Sequence, residues 1–278
     1  MLHLITKKQF TKPKLKLPFI AGVPIPISFD PLTLATYQAG YLMNYENDVI
    51  PGSMLSTAHS QWMDAVLLNI TAKYLQSNTD NVPVIVNGFK SFAFNLLVAD
   101  MRVILNDLFT GINDYTLVIG FQRGKSLGSN HIVFYEANTA HNQETWLNIQ
   151  PGGTLDFLAG DGHGGSGNNI SATSLFSYDD SLPHIAICRI NQTTKTIDLF
   201  TDLGEHIIAT NAAYVPQVMT TTSPFDVHFG QWYDGTLLFN PGGLLFDMFL
   251  YSSVLSIADI NKLMSYEANR LGIAYVPF

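Results

Sequence analysis

The sequence predicts an all-β chain, folded as a sandwich or a closed barrel. Two observations predict it. Short runs rich in β-branched and aromatic residues recur along most of the chain, and clusters of Gly, Asn, Asp and Ser separate them. In addition, only one segment carries a full set of helix signals, so crossover helices and a parallel sheet are excluded.

Residues 1–29 are basic and proline-rich, with Pro13, Pro18, Pro24 and Pro26 among apolar residues. Proline at that density prevents helix and interrupts sheet pairing, which predicts an extended arm. Tyr37, Tyr41 and Tyr45 follow at four-residue spacing, which fits one helix face. Asp48, Pro51, Gly52 and Ser53 read as a loop. Strands are expected at Ala72–Gln76, Val82–Val86, Ser91–Asn95, Tyr115–Gln122, Ile132–Glu136, Thr145–Ile149 and Leu155–Ala159. His184–Asn191 and Thr196–Thr201 read as a hairpin, and Phe225–Gly230 and Leu244–Tyr251 complete the set. A short helix is expected near Leu97–Asp107. The strong helix runs Ile257–Leu271: Ser256 is its N-cap, Asp259 completes a box-like cap, Ile260, Leu263, Met264 and Leu271 form an apolar stripe, and Gly272 ends it. The expected division is an arm at residues 1–29 and one domain at residues 30–278.

Composition narrows the function. Of 278 residues, 47% are apolar and 13% charged. That charged share is about half of the usual ~25%, which argues against disorder and suits buried subunit contacts, hence a homo-oligomer, although a Ser/Thr/Asn-rich surface gives the same count. The net charge of −8 is partitioned: the arm holds Lys7, Lys8, Lys12, Lys14 and Lys16 and no acid, leaving −13 on the rest. An acidic body repels phosphate backbones, so the main domain is not expected to bind nucleic acid, while the five lysines suit an arm that meets nucleic acid or an acidic protein surface, the plainer reading being a frayed, solvated terminus. The single cysteine, Cys188, sits in an apolar run and is expected to be a buried hydrophobe. The lack of a disulfide framework fits assembly in a reducing cytoplasm. No secretion signal or membrane span is read, and the sequons at Asn69, Asn169 and Asn191 are taken as chance matches.

At the C-terminus, the stretch from Phe249 to Ile273, with Leu255-Ser256 leading into the helix and Gly272-Ile273 closing it, resembles the final strand and helix of concanavalin A-like lectin/glucanase domains, also called laminin-G-like. The hairpin 184–202, the stretch Asn87–Phe94 and the strand at 115–123 resemble earlier strands of that family, so the likeness covers about residues 60–275. It implies a two-sheet antiparallel jelly-roll sandwich. With the preceding Pro/Lys-rich segment it is similar to domains in tailed-bacteriophage structural proteins, which implies a non-enzymatic virion component (capsid decoration, tail or fibre) assembled in the host cytoplasm, with other virion proteins as partners. The alternative reading is a carbohydrate-binding module for host-surface glycans, and the weaker one a glycoside hydrolase.

Hydrolysis of a glycoside needs two carboxylates about 5–9.5 Å apart. The chain has five glutamates, Glu46, Glu136, Glu144, Glu205 and Glu267, and none opens the Glu-x-Asp-x-x-Glu pattern of the family's glucanases. Glu136 and Glu144 are expected on different strands, at solvated ends. No catalytic residue is assigned. The loop 160–169 holds five glycines together with Asp161, His163, Asn168 and Asn169. Its oxygen-rich composition suits calcium or a sugar, with Trp146 or Trp232 as an aromatic platform; the plainer reading is a long connection. Trp232 and Tyr233 form an aromatic turn suited to anchoring a partner or to folding back on the sheet. The histidines lack metal-ligand spacing, and those at 131, 184, 206 and 228 adjoin apolar strand runs, where packing or surface roles are expected. No Gly-x-Ser-x-Gly elbow is present, which leaves a serine hydrolase of that class without support.

Overall fold

The structure is a computed structural model that describes residues 29–41, 75–77, 81–86, 89–94, 101–104, 114–124, 131–138, 144–160, 168–215, 225–229 and 243–278. Among the described residues the chain is almost wholly antiparallel β, with one 3-10 turn at Pro31–Thr33 and one α-helix. The strands are β1 Tyr37–Tyr41, β2 Leu75–Ser77, β3 Asn81–Val86, β4 Phe89–Phe94, β5 Met101–Ile104, β6 Tyr115–Gln122, β7 His131–Asn138 and β8 Glu144–Ile149. They continue with β9 Thr154–Gly160, β10 Ile170–Ser177, β11 Pro183–Asn191, β12 Thr196–Thr201, β13 His206–Thr210, β14 Phe225–Phe229 and β15 Gly243–Tyr251, before the helix α1, Ile257–Leu271.

Two sheets result. The eight-stranded one runs β13-β12-β11-β6-β15-β4-β3, with β1 also on β15; the seven-stranded one runs β10-β9-β8-β7-β14-β5-β2. Their facing sides share one apolar interior. Leu117, Ile119, Phe121, Cys188, Leu199 and Leu250 contribute from the first, and Phe134, Leu147, Ile149, Phe157 and Ile170 from the second. This is a two-sheet jelly-roll sandwich, as expected. Cys188 is a buried core residue whose thiol burial pushes well above its ordinary range.

Strand β6 is buried on both sides, which explains why Tyr-Thr-Leu-Val-Ile-Gly-Phe does not alternate in polarity. The outer residues Val118, Ile185, Ile187, Phe246 and Phe249 of the eight-stranded sheet pack against Ile260, Leu263, Met264 and Leu271 of α1. Gly120 lies under the helix, where an added Cβ would stand 3.3 Å from Phe246 and 3.4 Å from Leu271. Helix limits and caps match the sequence reading. The Ser256 side chain accepts from the Asp259 N–H at 3.2 Å, and Gly272 takes a left-handed φ of 66°. Arg270 clamps α1 to the sheet through Asp247, with Nε at 2.9 Å.

Four expectations need correcting. Tyr37 and Tyr41 lie on strand β1, which pairs with β15 across a register shift between Tyr37 and Ala39; long-range pairing, not the local four-residue spacing, sets the conformation here. Met101–Ile104, inside the expected short helix, is strand β5 between β14 and β2. Strands β10 and β13 were not anticipated; both are sheet edges with mixed polar and apolar residues. Glu136 and Glu144 do lie on different strands, but neither is solvated, since both are buried. The arm through residue 28, with Lys7, Lys8, Lys12, Lys14 and Lys16, and the loop at 48–53 lie outside the described residues.

Candidate functional site

Strand alternation sets polar side chains beside apolar ones on the outer side of β8, β9 and β10. In β8, Thr145, Leu147 and Ile149 fall on the interior side, leaving Glu144, Trp146 and Asn148 outward. In β9, Leu155, Phe157 and Ala159 point in and Asp156 and Leu158 out, while in β10 Ile170 and Ala172 point in and Ser171 and Thr173 out. Antiparallel register aligns these into rows. One is Thr173–Asp156–Asn148–Ile132, and the other is Ser171–Leu158–Trp146–Tyr135. The second row continues in backbone register through His228 to Arg102.

The margin at β9 and β10 is open to solvent and the centre is not. Ser171 and Thr173 are exposed, and Leu158 is partly so. Both hydroxyls donate to Asp156 Oδ1, at 2.5 Å from Ser171 and 2.9 Å from Thr173. Trp146 is only 8% exposed and packs with Ile132, Tyr135, Ala137 and Leu158. The Tyr135 hydroxyl donates to Glu144 Oε1 at 2.9 Å. Asn148 is 4% exposed and its Oδ1 meets no hydrogen-bond partner.

Glu136 belongs to the other side of the same sheet. Its Oε2 accepts from the Tyr115 hydroxyl at 2.9 Å across the sandwich interior. Burial pushes its carboxyl up to about 8, so at neutral pH it carries its proton. Its neighbour in register with Glu144 is Ala137, so Glu136 and Glu144 face opposite sides and do not converge on one substrate.

Of the residues singled out from sequence, Trp146 joins the outer face, and Asn168 stands at the exit of the glycine-rich loop with partial exposure. A Cβ on Gly160 would lie 2.2 Å from Asn169 Oδ1, so the Asn169 side chain packs directly over Gly160. Asp161 and His163, and Trp232 and Tyr233, lie outside the described residues. Among the described residues no group of three His, Cys, Asp or Glu side chains is arranged to hold a metal ion. Sequence reasoning missed Asp156, Asn148, Ser171, Thr173 and Tyr135. The available cue was polarity at alternate positions of the apolar runs at 144–149 and 154–160; Ser171 and Thr173 stand on β10, where no strand is expected from the sequence.

The fold is an antiparallel two-sheet jelly-roll sandwich closed by a C-terminal helix. No family model and no curated protein matches the chain. Among solved structures, it is similar to a Trypanosoma rangeli sialidase in complex with a 2,3-difluoro nononic acid (TM-score 0.58, 12% identity, 86% of this chain and 34% of that one). It is also similar to the binding domain of botulinum neurotoxin serotype D (TM-score 0.53, 13% identity, 84% and 52%). A third structure is the CBM40 of a Ruminococcus gnavus IT-sialidase bound to alpha2,6 sialyllactose (TM-score 0.45, 17% identity, 55% and 83%). This chain thus spans about a third of the sialidase and half of the toxin domain.

Proposed function

We propose that this chain is a non-enzymatic carbohydrate-binding domain whose sugar site is the β8–β10 margin of the seven-stranded sheet. The observation that carries the reading is one row of outward side chains: Thr173, Asp156 and Asn148, beside Leu158 and Trp146. A sugar ring needs donors and acceptors for vicinal hydroxyls beside a flat apolar surface. Asp156 supplies an acceptor that anchors the Ser171 and Thr173 hydroxyls, those hydroxyls are open to solvent, and partly exposed Leu158 supplies apolar surface, with buried Asn148 and Trp146 supporting the margin from beneath. The sialidase structure holds a sugar acid and the toxin structure is a binding domain, which supports a ligand-binding use of the shared fold. A non-enzymatic role is supported by the opposed directions of Glu136 and Glu144.

A glycan array tests this. The expected result is a defined glycan bound, with affinity lost about tenfold or more in Asp156→Ala and in a Ser171→Ala/Thr173→Ala double variant. Binding to no glycan, or equal binding by these folded variants, refutes the site.

A second reading, favoured by the charge partition between arm and body, keeps the chain as a structural protein of a bacteriophage virion. Its segment 1–29 would dock on an acidic neighbour through Lys7, Lys8, Lys12, Lys14 and Lys16, with residues 30–278 displayed as a homo-oligomer. Copurification with assembled particles at fixed stoichiometry tests it, and a freely soluble chain absent from particles rejects it.

A further inference from the structure

His184, at the start of β11, is 3% exposed and meets a carboxylate at each ring nitrogen. Nε2 lies 2.9 Å from Asp180 Oδ1 and Nδ1 lies 3.1 Å from Asp202 Oδ2. An ionised carboxylate only accepts, and a neutral imidazole has one N–H, so with both aspartates ionised only the imidazolium satisfies both contacts. The two aspartates come from different segments. Asp202, in the turn after β12, is fixed: its Oδ1 accepts the Ile185 N–H at 3.0 Å and its carbonyl accepts the Val276 N–H at 3.1 Å. Asp180, in the turn before β11, has a side chain 47% exposed, and its Oδ1 also accepts the Leu182 N–H at 2.9 Å. Between them Ser181 holds φ at 60°, a left-handed conformation uncommon outside glycine. Charge contacts hold this turn against backbone strain.

We infer that His184 is a proton-operated clasp on the turn 179–182. The clasp is shut while the ring carries both protons. Deprotonation turns a nitrogen lone pair toward a carboxylate, and Asp180, the more solvated partner, lets go. The groups around the ring are known on each side. From β6 and the residue after it come the Phe121 ring at 6.0 Å and Arg123, which pairs with Asp179 at 3.0 Å. From the turn come Asp179, Asp180 and the edge-on Tyr178 ring at 4.9 Å. From the far turn come Asp202 and Glu205, the latter accepting from the Tyr178 hydroxyl at 2.6 Å. Burial opposes charging the ring, but the hydrogen bonds and charges of Asp202 and Asp180 outweigh it and raise His184 above its ordinary 6.5. A raised value places the full contribution of the clasp below about pH 6.5 and its loss as pH climbs through the folded-state value. One end of the sandwich therefore loosens as pH rises.

The test is an NMR titration of the His184 ring in the full chain from about pH 5 to about pH 9, with amide exchange protection followed in parallel. The ring should titrate above its ordinary value, and protection at Leu182 should fall over the same interval while Ile187 within β11 stays protected. Asp180→Asn keeps an acceptor for Leu182 but removes the charge. It should lower the midpoint of His184 by about one unit and weaken Leu182 protection at low pH. A ring already neutral at about pH 6, Leu182 protection that stays flat across the ring's titration, or an unmoved midpoint in Asp180→Asn would each overturn the clasp.

Discussion

Glu136 shows how one residue's surroundings decide its chemistry. It is fully buried, and its Oε1 has no hydrogen-bond partner while Oε2 takes the Tyr115 hydroxyl. With its carboxyl pushed from 4.5 up to about 8, the folded state holds a proton that the unfolded chain releases. Stability from this group is thus full below about 4.5 and is lost as pH rises toward about 8. Glu136→Gln should remove that slope: urea denaturation at the two ends of the interval should show the wild type weakening and the variant holding, by a few kcal/mol. Gly153 makes the steric case. At φ +86° an added Cβ would stand 2.1 Å from Ser177 Oγ and 2.8 Å from Asp179 Cβ. Gly153→Ala should cost about 2 kcal/mol or more, read as a lower urea midpoint.

At the scale of elements, α1 depends on its caps and on one buried ionic contact. Ser256→Ala removes the acceptor for the Asp259 N–H and should lower stability by about 1 kcal/mol. Arg270 matters more. It holds Asp247, 2% exposed, with Nε at 2.9 Å and Nη2 at 3.3 Å, while Glu267 lies beside them fully buried. Burial first, and Asp247 next, push Glu267 well above the carboxylate range, against the pull of Arg270. Arg270→Ala strands the Asp247 charge and should cost about 3–5 kcal/mol by urea denaturation. The helix was legible in the sequence to the residue, because an N-cap, an apolar stripe and a C-terminal glycine are local signals. So were β6 and β12, whose apolar runs are long and bounded by turn residues. Strands β10 and β13 were not, because an edge strand buries only one side and its outward residues read as loop. Strand β1 exists through its pairing with β15, a partner some two hundred residues away that no local pattern reveals.

For the whole molecule, the groups raised by burial or partners act in one direction. Glu136, Glu267 and His184 all bind protons more tightly when folded. Asp259, held below its ordinary value by Lys262 and Ser256, acts oppositely only at acid pH. The melting temperature should therefore be higher near pH 5 than near pH 8, and a scan at both, about three pH units apart, checks this. A rise toward pH 8 would contradict the protonated state of the buried carboxyls. By itself the sequence determined the class of fold, the closing helix with both caps, the burial of Cys188 and the separation of Glu136 from Glu144 onto two strands. All of these follow from periodicity, caps and spacing, which are properties of neighbouring residues. Only the tertiary structure decided which side of a sheet each polar residue takes and what it meets there. It turned Glu136 inward to Tyr115, aligned Asp156 with Asn148 and Thr173, and brought Asp180 and Asp202 to one imidazole. Register between strands far apart in the chain sets those meetings, and a one-residue slip would reverse every side chain.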